Sequence, residues 1–208
     1  MTWQVCVALV AAYVLGSVPS GYWLVRVWKG IDIRTIGSGN IGATNAMRAG
    51  GKAAGIIALA LDVVKGLGAA LALGRFGASA PGAIPPDVVP LATGLAAIVG
   101  HNWTIFLRFK GGKGVATSLG VFVGVLPVPL AVSAAVFVIM VYLFRYVSLG
   151  SVSAALAFPT LSAITGAPKT HIAFAAIASA MLIWRHRANM SRLLRGAEHK
   201  LGQPRRES

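Results

Sequence analysis

The chain has 208 residues, 56% of them hydrophobic and 12% charged, with 19 Lys and Arg against 5 Asp and Glu and a formal net charge of +14. A soluble domain carries about a quarter charged residues, so this chain lacks the polar surface to remain in water. A soluble enzyme, a disordered chain and a collagen-like one are excluded. Such positive charge covers one face of a nucleic-acid binder but collects in the loops of one side of a membrane protein. The apolar excess favours the membrane, and no nucleic-acid partner is expected.

A membrane-crossing helix needs roughly 20 apolar residues. The first candidate is residues 3–27, which no Lys or Arg precedes, so it reads as a permanent span rather than a signal peptide. Cys6 lies within it and is expected to be a small buried residue. The run Gly16-Ser17-Val18-Pro19-Ser20-Gly21 either kinks this helix against close neighbours or frees backbone groups to line a cavity. The second span, residues 53–74, carries Asp62 and Lys65 at i, i+3. Ionisable groups in lipid are costly and face a partner or a cavity. Mutual pairing gives both a structural role, with Lys65 facing a phosphate site as the alternative.

The Gly- and Pro-rich residues 80–90 read as an external loop, and residues 88–100 as a third span. Residues 114–144 are apolar but interrupted by Pro127 and Pro129, making one very long helix or two short ones. Residues 150–166 and 170–184 are two more spans. From about residue 199 to 208 the chain is polar and basic, a flexible tail lying near anionic lipid. The positive-inside rule decides the count. With seven spans, sixteen Lys and Arg lie on the side of the C-terminus and two on the other; with six, the tally is nine against nine. The expectation is an all-α polytopic protein of seven transmembrane helices, some short or broken, with the N-terminus outside and the C-terminus cytoplasmic. It forms one integral-membrane domain over residues 1–208.

Basic loops follow from the charge asymmetry alone, so their neighbours matter more. The first loop holds Gly37-Ser38-Gly39-Asn40-Ile41-Gly42-Ala43-Thr44-Asn45, then Arg48. Small residues, hydroxyls, amides and bare N–H groups make an anion-binding nest. The second loop holds His101, then Lys110-Gly111-Gly112-Lys113-Gly114, with Thr117 on the helix that follows. A glycine-rich loop entering a helix N-terminus aims N–H groups at an anion, and the lysines add charge. Gly114 and Val115 follow the lysine where a Walker A loop needs Lys-Ser/Thr, so triphosphate hydrolysis is unsupported.

The third cluster contains His186 and Asn189, three apart and on one face if the last helix continues, and then Glu198, placed to pair with neighbouring arginines. A histidine in such a basic run is ordinarily an interfacial residue. Ser148 and Ser151 add hydroxyls on the same side. Carboxylates are too few for a Mg²⁺ or Ca²⁺ site and a lone cysteine gives no thiolate framework, so no metal is expected. The inferred ligand has an anionic head and a part that enters from the bilayer.

These residues resemble the bacterial integral-membrane acyl-phosphate:glycerol-3-phosphate acyltransferases. The resemblance rests on GSVPSGY, IGSGNIGATNAMR, LDVVKG, GHNWTIFLRFKGGKGVAT and RHRANMSRLLRGAEHK, in that order over nearly the whole chain. It departs at Ser20, where other versions carry an aromatic, and at Thr104, where many carry proline. It implies seven spans in the bacterial cytoplasmic membrane, a cytoplasmic active site, and acyl phosphate and glycerol 3-phosphate as substrates among membrane lipids. It also implies no cofactor and lysophosphatidic acid as the product.

Carried over by motif, Ser38, Arg48, His186 and Asn189 are catalytic, and the glycines of residues 110–114 cradle glycerol 3-phosphate with a lysine on its phosphate. Gly39, Asn40, Thr44, Asn45, His101, Thr117, Ser148 and Ser151 join Lys110, Gly111, Gly112, Lys113 and Gly114 as substrate-binding residues. Asp62, Lys65 and Glu198 are structural. Acyl phosphate is already activated, so direct attack by the glycerol hydroxyl is expected, with a substrate phosphate taking the proton. The alternative is an organic-phosphate transporter or flippase, which predicts a midplane site and usually a repeated half. The oligomeric state is open, with a monomer compatible.

Overall fold

The computed structural model describes residues 2–79 and 84–202, and every regular element in them is helical. Residues 80–83, part of the loop expected to be external, and the tail beyond Gly202 lie outside the described residues. The chain divides into two compact units, Met1–Val125 and Leu126–Ser208.

The first unit begins with α1 (Trp3–Ser17) and α2 (Ser20–Lys29). Pro19 has no N–H to offer the Leu15 carbonyl, which takes the Val18 N–H at 3.2 Å instead, and the helix breaks there. After a one-turn 3₁₀ segment (Ile33–Thr35) come the short α3 (Ala43–Gly50) and α4 (Lys52–Gly68). A π turn (Ala69–Leu73) carries α4 into α5 (Gly74–Ala78); α6 (Val89–Asn102), a second 3₁₀ turn (Ile105–Leu107) and α7 (Val115–Val125) complete the unit.

Two helix pairs hold this unit together, each through glycines on both partners. A Cβ on Gly16 of α1 would strike the Ala97 backbone of α6, and one on Gly100 of α6 would strike the Tyr13 carbonyl of α1. Likewise Gly66 of α4 meets the Thr117 carbonyl and Gly120 of α7 meets that of Val63. In lipid no hydrophobic force drives helices together, so backbone approach of this kind supplies the packing energy.

In the second unit, α9 (Val147–Ile164) packs against both α8 (Pro127–Phe144) and α10 (Lys169–Arg185), and α11 (Arg187–Leu194) returns to touch α9. The apolar stretch does divide at the prolines: Leu126 stands between helices and Pro127 opens α8, where its missing N–H costs nothing.

Among the described residues five helical runs are long and apolar enough to cross a membrane: Trp3–Lys29, Lys52–Ala78, Val89–Leu107, Pro127–Phe144 and Val147–Ile164. At 11 residues α7 is apolar but rises only ~16 Å, about half the hydrocarbon thickness. Val128, Val132, Val138, Ile139, Leu143 and Phe144 of α8 all face outward, as do Val10 and Val14 of α1. Cys6 belongs with them: it is exposed, which corrects its expected burial. An apolar run does not reveal which of its faces meets lipid.

Candidate active site

The first loop is organised by one side chain. Asn45, buried on the first turn of α3, donates through Nδ2 to the carbonyls of Ile33 (2.8 Å), Ile36 (3.0 Å) and Asn40 (2.8 Å). Its Oδ1 accepts the Ser38 N–H at 3.2 Å. Asn40 Oδ1 in turn accepts the Gly42 N–H at 2.9 Å, and Gly39, at φ +67°, closes the turn by donating to the Ile36 carbonyl. Asn45, expected to bind substrate, therefore has its hydrogen-bonding capacity engaged inside the loop. What the loop presents is the exposed Ser38 beside the exposed Arg48, whose Cδ runs close over Gly37. Thr44 sits half-buried at the start of α3.

Beside this loop Asp32 accepts from Arg34 Nε (2.9 Å), from Nη2 (2.6 Å) and from the Arg34 backbone N–H (2.9 Å). The guanidinium hydrogen bonds, then the backbone one, hold the Asp32 carboxyl down at about 2. Being exposed, the pair orders its turn rather than stabilising the fold much.

The break between α1 and α2 leaves carbonyls that distant residues satisfy. The Thr104 hydroxyl donates to the Ser17 carbonyl, and the Lys65 ammonium to that of Val18 at 2.9 Å. Tyr13 donates to the Trp103 carbonyl at 2.8 Å, and Ser17 to that of Gly100 at 3.3 Å. Lys65 also lies 2.8 Å from Asp62 Oδ1, an ion pair whose approach angle falls short of a hydrogen bond, and 2.9 Å from His101 Nδ1. All three residues are buried. The expected pairing of Asp62 with Lys65 is present, and His101 completes it.

The second loop differs from a nest of open amides. Gly111 and Gly112 donate back to the carbonyls of Asn102 (3.2 Å) and His101 (2.9 Å). Their missing side chains serve this approach: a Cβ on Gly111 would strike the His101 carbonyl, and one on Gly112 would land on the His101 ring. Before them Arg108 and Phe109 both have positive φ, 53° and 61°. Left-handed backbone costs a non-glycine residue roughly 1–2 kcal/mol, and strain of this kind gathers at functional loops.

Lys110 is exposed, Lys113 half-buried and Gly114 buried. Beneath them the fully buried Asn102 amide and Thr117 hydroxyl have no hydrogen-bond partner among the described residues, an arrangement that calls for a bound polar group. Leu107 packs into one apolar cluster with Ile33, Ile41 and Ala46, and Trp23 meets Phe106 at 5.4 Å between ring centres. Both glycine-rich loops are thereby brought to the same end of the first unit.

In the second unit the last helix does not continue: α10 ends at Arg185, and His186 (φ −93°, ψ 1°) is the joint before α11. His186 is buried with Nδ1 2.8 Å from the Leu182 carbonyl. Asn189 donates to Glu198 Oε1 at 2.6 Å, Ser148 to the same oxygen at 2.8 Å, and Arg192 Nε to Oε2 at 2.7 Å. Burial raises the Glu198 carboxyl, but the hydrogen bonds from Asn189, Ser148 and Arg192 outweigh it and hold the group below its ordinary value. Ser151 donates to its own helix at Val147 (2.9 Å).

The start of the tail is tied down: the Leu201 N–H donates to the Arg145 carbonyl at 2.7 Å, and Arg145 Nη2 to the Leu201 carbonyl at 3.0 Å. The residues that sequence reasoning missed are therefore the braces, Thr104, Tyr13 and Ser17. Their one signal was Pro19, which had to leave carbonyls in need of donors.

A family model described as glycerol-3-phosphate acyltransferase matches residues 6–196. The chain belongs to the glycerol-3-phosphate acyltransferase family. It is 46% identical over 189 residues to a glycerol-3-phosphate acyltransferase of Desulforudis audaxviator, covering 91% of each chain. Its fold is similar to crystal structures of PlsY (YgiH), an integral membrane glycerol 3-phosphate acyltransferase, at 39% identity. The glycerol 3-phosphate form gives a TM-score of 0.86 over 95% of this chain and 96% of that one. The lysophosphatidic acid form gives 0.83 over 95% of each. As a member of this family the chain is a multi-pass membrane acyltransferase.

Proposed function

We propose that this protein transfers an acyl group from acyl phosphate to the hydroxyl of glycerol 3-phosphate, forming 1-acyl-glycerol 3-phosphate and releasing inorganic phosphate. The observation that carries the reading is the meeting, at one end of the first unit, of the Ser38–Arg48 loop with the loop of Lys110 to Gly114. That end offers exposed cations and a hydroxyl to anionic substrates, with apolar helices behind them for an acyl chain. The relatives named for glycerol 3-phosphate supply the acceptor.

In the reaction, the glycerol oxygen attacks the acyl carbonyl carbon, the bond from that carbon to the phosphate oxygen breaks, and the hydroxyl proton passes to the departing phosphate. Arg48 and the loop lysines hold the two phosphates in register and offset the charge developing on the leaving group. Ser38 orients the reacting groups without being acylated. Gly39, Asn40 and Thr44 shape the first loop, while Gly111, Gly112, Gly114, His101 and Thr117 support the phosphate. His186 and Asn189 keep the catalytic roles that their motif implies, and Ser148 and Ser151 the binding roles.

We read α7 and α10 as completing seven spans, with the N-terminus outside and the site on the cytoplasmic side of a bacterial cytoplasmic membrane. Both units form one catalytic domain, since the family match crosses their boundary. The test is lipid-reconstituted protein given acyl phosphate and labelled glycerol 3-phosphate, with EDTA and without coenzyme A. Labelled lysophosphatidic acid, lost in Arg48→Ala, is expected. Uptake of label into sealed vesicles without product would overturn the enzyme reading, and a covalent acyl-serine at Ser38 would overturn direct transfer.

A further inference from the structure

Lys65 lies deep in α4, away from both exposed loops, yet its ammonium connects three parts of the first unit. It contacts Asp62 Oδ1 at 2.8 Å on its own helix, the Val18 carbonyl at 2.9 Å in the break between α1 and α2, and His101 Nδ1 at 2.9 Å at the end of α6. The break matters here. A carbonyl within an intact helix sits in its own ladder, whereas Val18 lies at the break, where its carbonyl accepts the Ser20 N–H at 3.0 Å in a tight turn and has a second lone pair for Lys65. A charged lysine has three donors and no acceptor. A lysine holds its proton far more firmly than an imidazole, and Asp62 lies nearer to this ammonium than to His101 Nδ1, 3.6 Å away, so we assign the positive charge to Lys65 and a neutral ring to His101.

His101 Nδ1 must then be the acceptor, and a neutral imidazole whose Nδ1 accepts carries its proton on Nε2. That second nitrogen lies against Gly112, at the place a Cβ on that glycine would occupy. The ring is thus wedged between the buried ammonium and the glycine-rich loop.

We propose that Lys65 is a positioning residue of the site. Anchored by Asp62 and the Val18 carbonyl, it locks His101 in the Nε2–H tautomer, so that the histidine meets the glycine-rich loop as a hydrogen-bond donor to the phosphate of the acceptor substrate. This rests on the functional reading above for the identity of the phosphate, but the tautomer itself does not depend on it.

The decisive measurement is ¹⁵N NMR of the intact protein, labelled at histidine and reconstituted in lipid, with the His101 signals assigned by their absence in His101→Gln. An unprotonated Nδ1 and a protonated Nε2 are expected, with Nε2 shifting on addition of glycerol 3-phosphate. A doubly protonated ring, or a proton on Nδ1, overturns the proposal in the wild-type protein without any variant having to fold. A correct tautomer with an Nε2 signal indifferent to glycerol 3-phosphate overturns the donor role, even where acyl transfer itself is observed.

Lys65→Met should release the lock and show both tautomers. It should also raise KM for glycerol 3-phosphate about ten-fold, the worth of one hydrogen bond to a charged group, while kcat stays nearly unchanged, as expected for binding shared by ground and transition states. His101→Gln, whose amide N–H reaches the Nε2 position, should keep a lower KM than His101→Asn. A fall in kcat with KM unmoved in Lys65→Met would overturn the positioning role.

Discussion

Replacing Asn45 by alanine tests whether the first loop is held from within. The substitution removes one of two donors from the carbonyls of Ile33 and Ile36, which keep the N–H groups of Ile36 and Gly39, and takes away the side-chain partner of the Asn40 carbonyl and of the Ser38 N–H. Exposed backbone at Ser38 recovers a hydrogen bond from water, whereas the Asn40 carbonyl belongs to a half-buried residue. A buried group left unsatisfied costs about 1–3 kcal/mol. That one group, together with the lost second donors at Ile33 and Ile36, weakens the ordered loop by about 2 kcal/mol, roughly thirty-fold in its equilibrium against opened forms. Where the ordered loop was favoured by less than that, kcat/KM for acyl transfer falls by up to about thirty-fold.

The paired assay is hydrogen exchange at the amides of residues 36–42, which should accelerate in step with the loss of activity. Asn45→Asp should be at least as damaging, since it keeps the acceptor but sets a carboxylate against three carbonyls. Activity lost with exchange unchanged would refute the reasoning, because Asn45 would then act by touching substrate. Activity and exchange both unchanged would refute it equally.

Glu198→Ala should free the tail from α9 and α11, raising proteolysis after residue 195 several-fold with little change in the helical content. The Glu198 carboxyl is held below its ordinary value in the folded protein, so its contribution is fully present above the unfolded pKa of about 4.3 and is lost as pH falls through the lower folded value. Tail protection should therefore be flat from pH 8 to 5 and decline only in stronger acid, a decline absent from Glu198→Ala. Gly112→Ala drives a methyl into the His101 ring; overpacking of this kind costs about 1–3 kcal/mol. KM for glycerol 3-phosphate should rise ten-fold or more, and wild-type kinetics would show that the close approach is dispensable.

The apolar helical runs and the interruption at Pro19 were legible in the sequence because each follows from local chemistry, and the division before Pro127 because the proline allowed it and the charge asymmetry chose it. The motif strings likewise marked both loops and the family. Asp62 and Lys65 were readable as a pair because one helix turn separates them, and Glu198 because arginines stand near it in the chain. Which way a helix faces was not legible, and Cys6 turned outward.

The sequence by itself determined that this chain lives in a membrane, roughly where its apolar helices run, and which short segments carry the family's motifs. Only the tertiary structure decided what each polar side chain does there. It set the Gly111 and Gly112 amides against α6 rather than toward a ligand, and made Asn45 a clasp. It also joined Thr104 to Ser17, Lys65 to His101 and Ser148 to Glu198 across 87, 36 and 50 residues of chain. The physical reason is range. Hydrophobic period and backbone propensity act within a few residues, whereas a buried donor takes whichever acceptor the packing of distant helices brings within 3 Å, and no local pattern encodes that meeting.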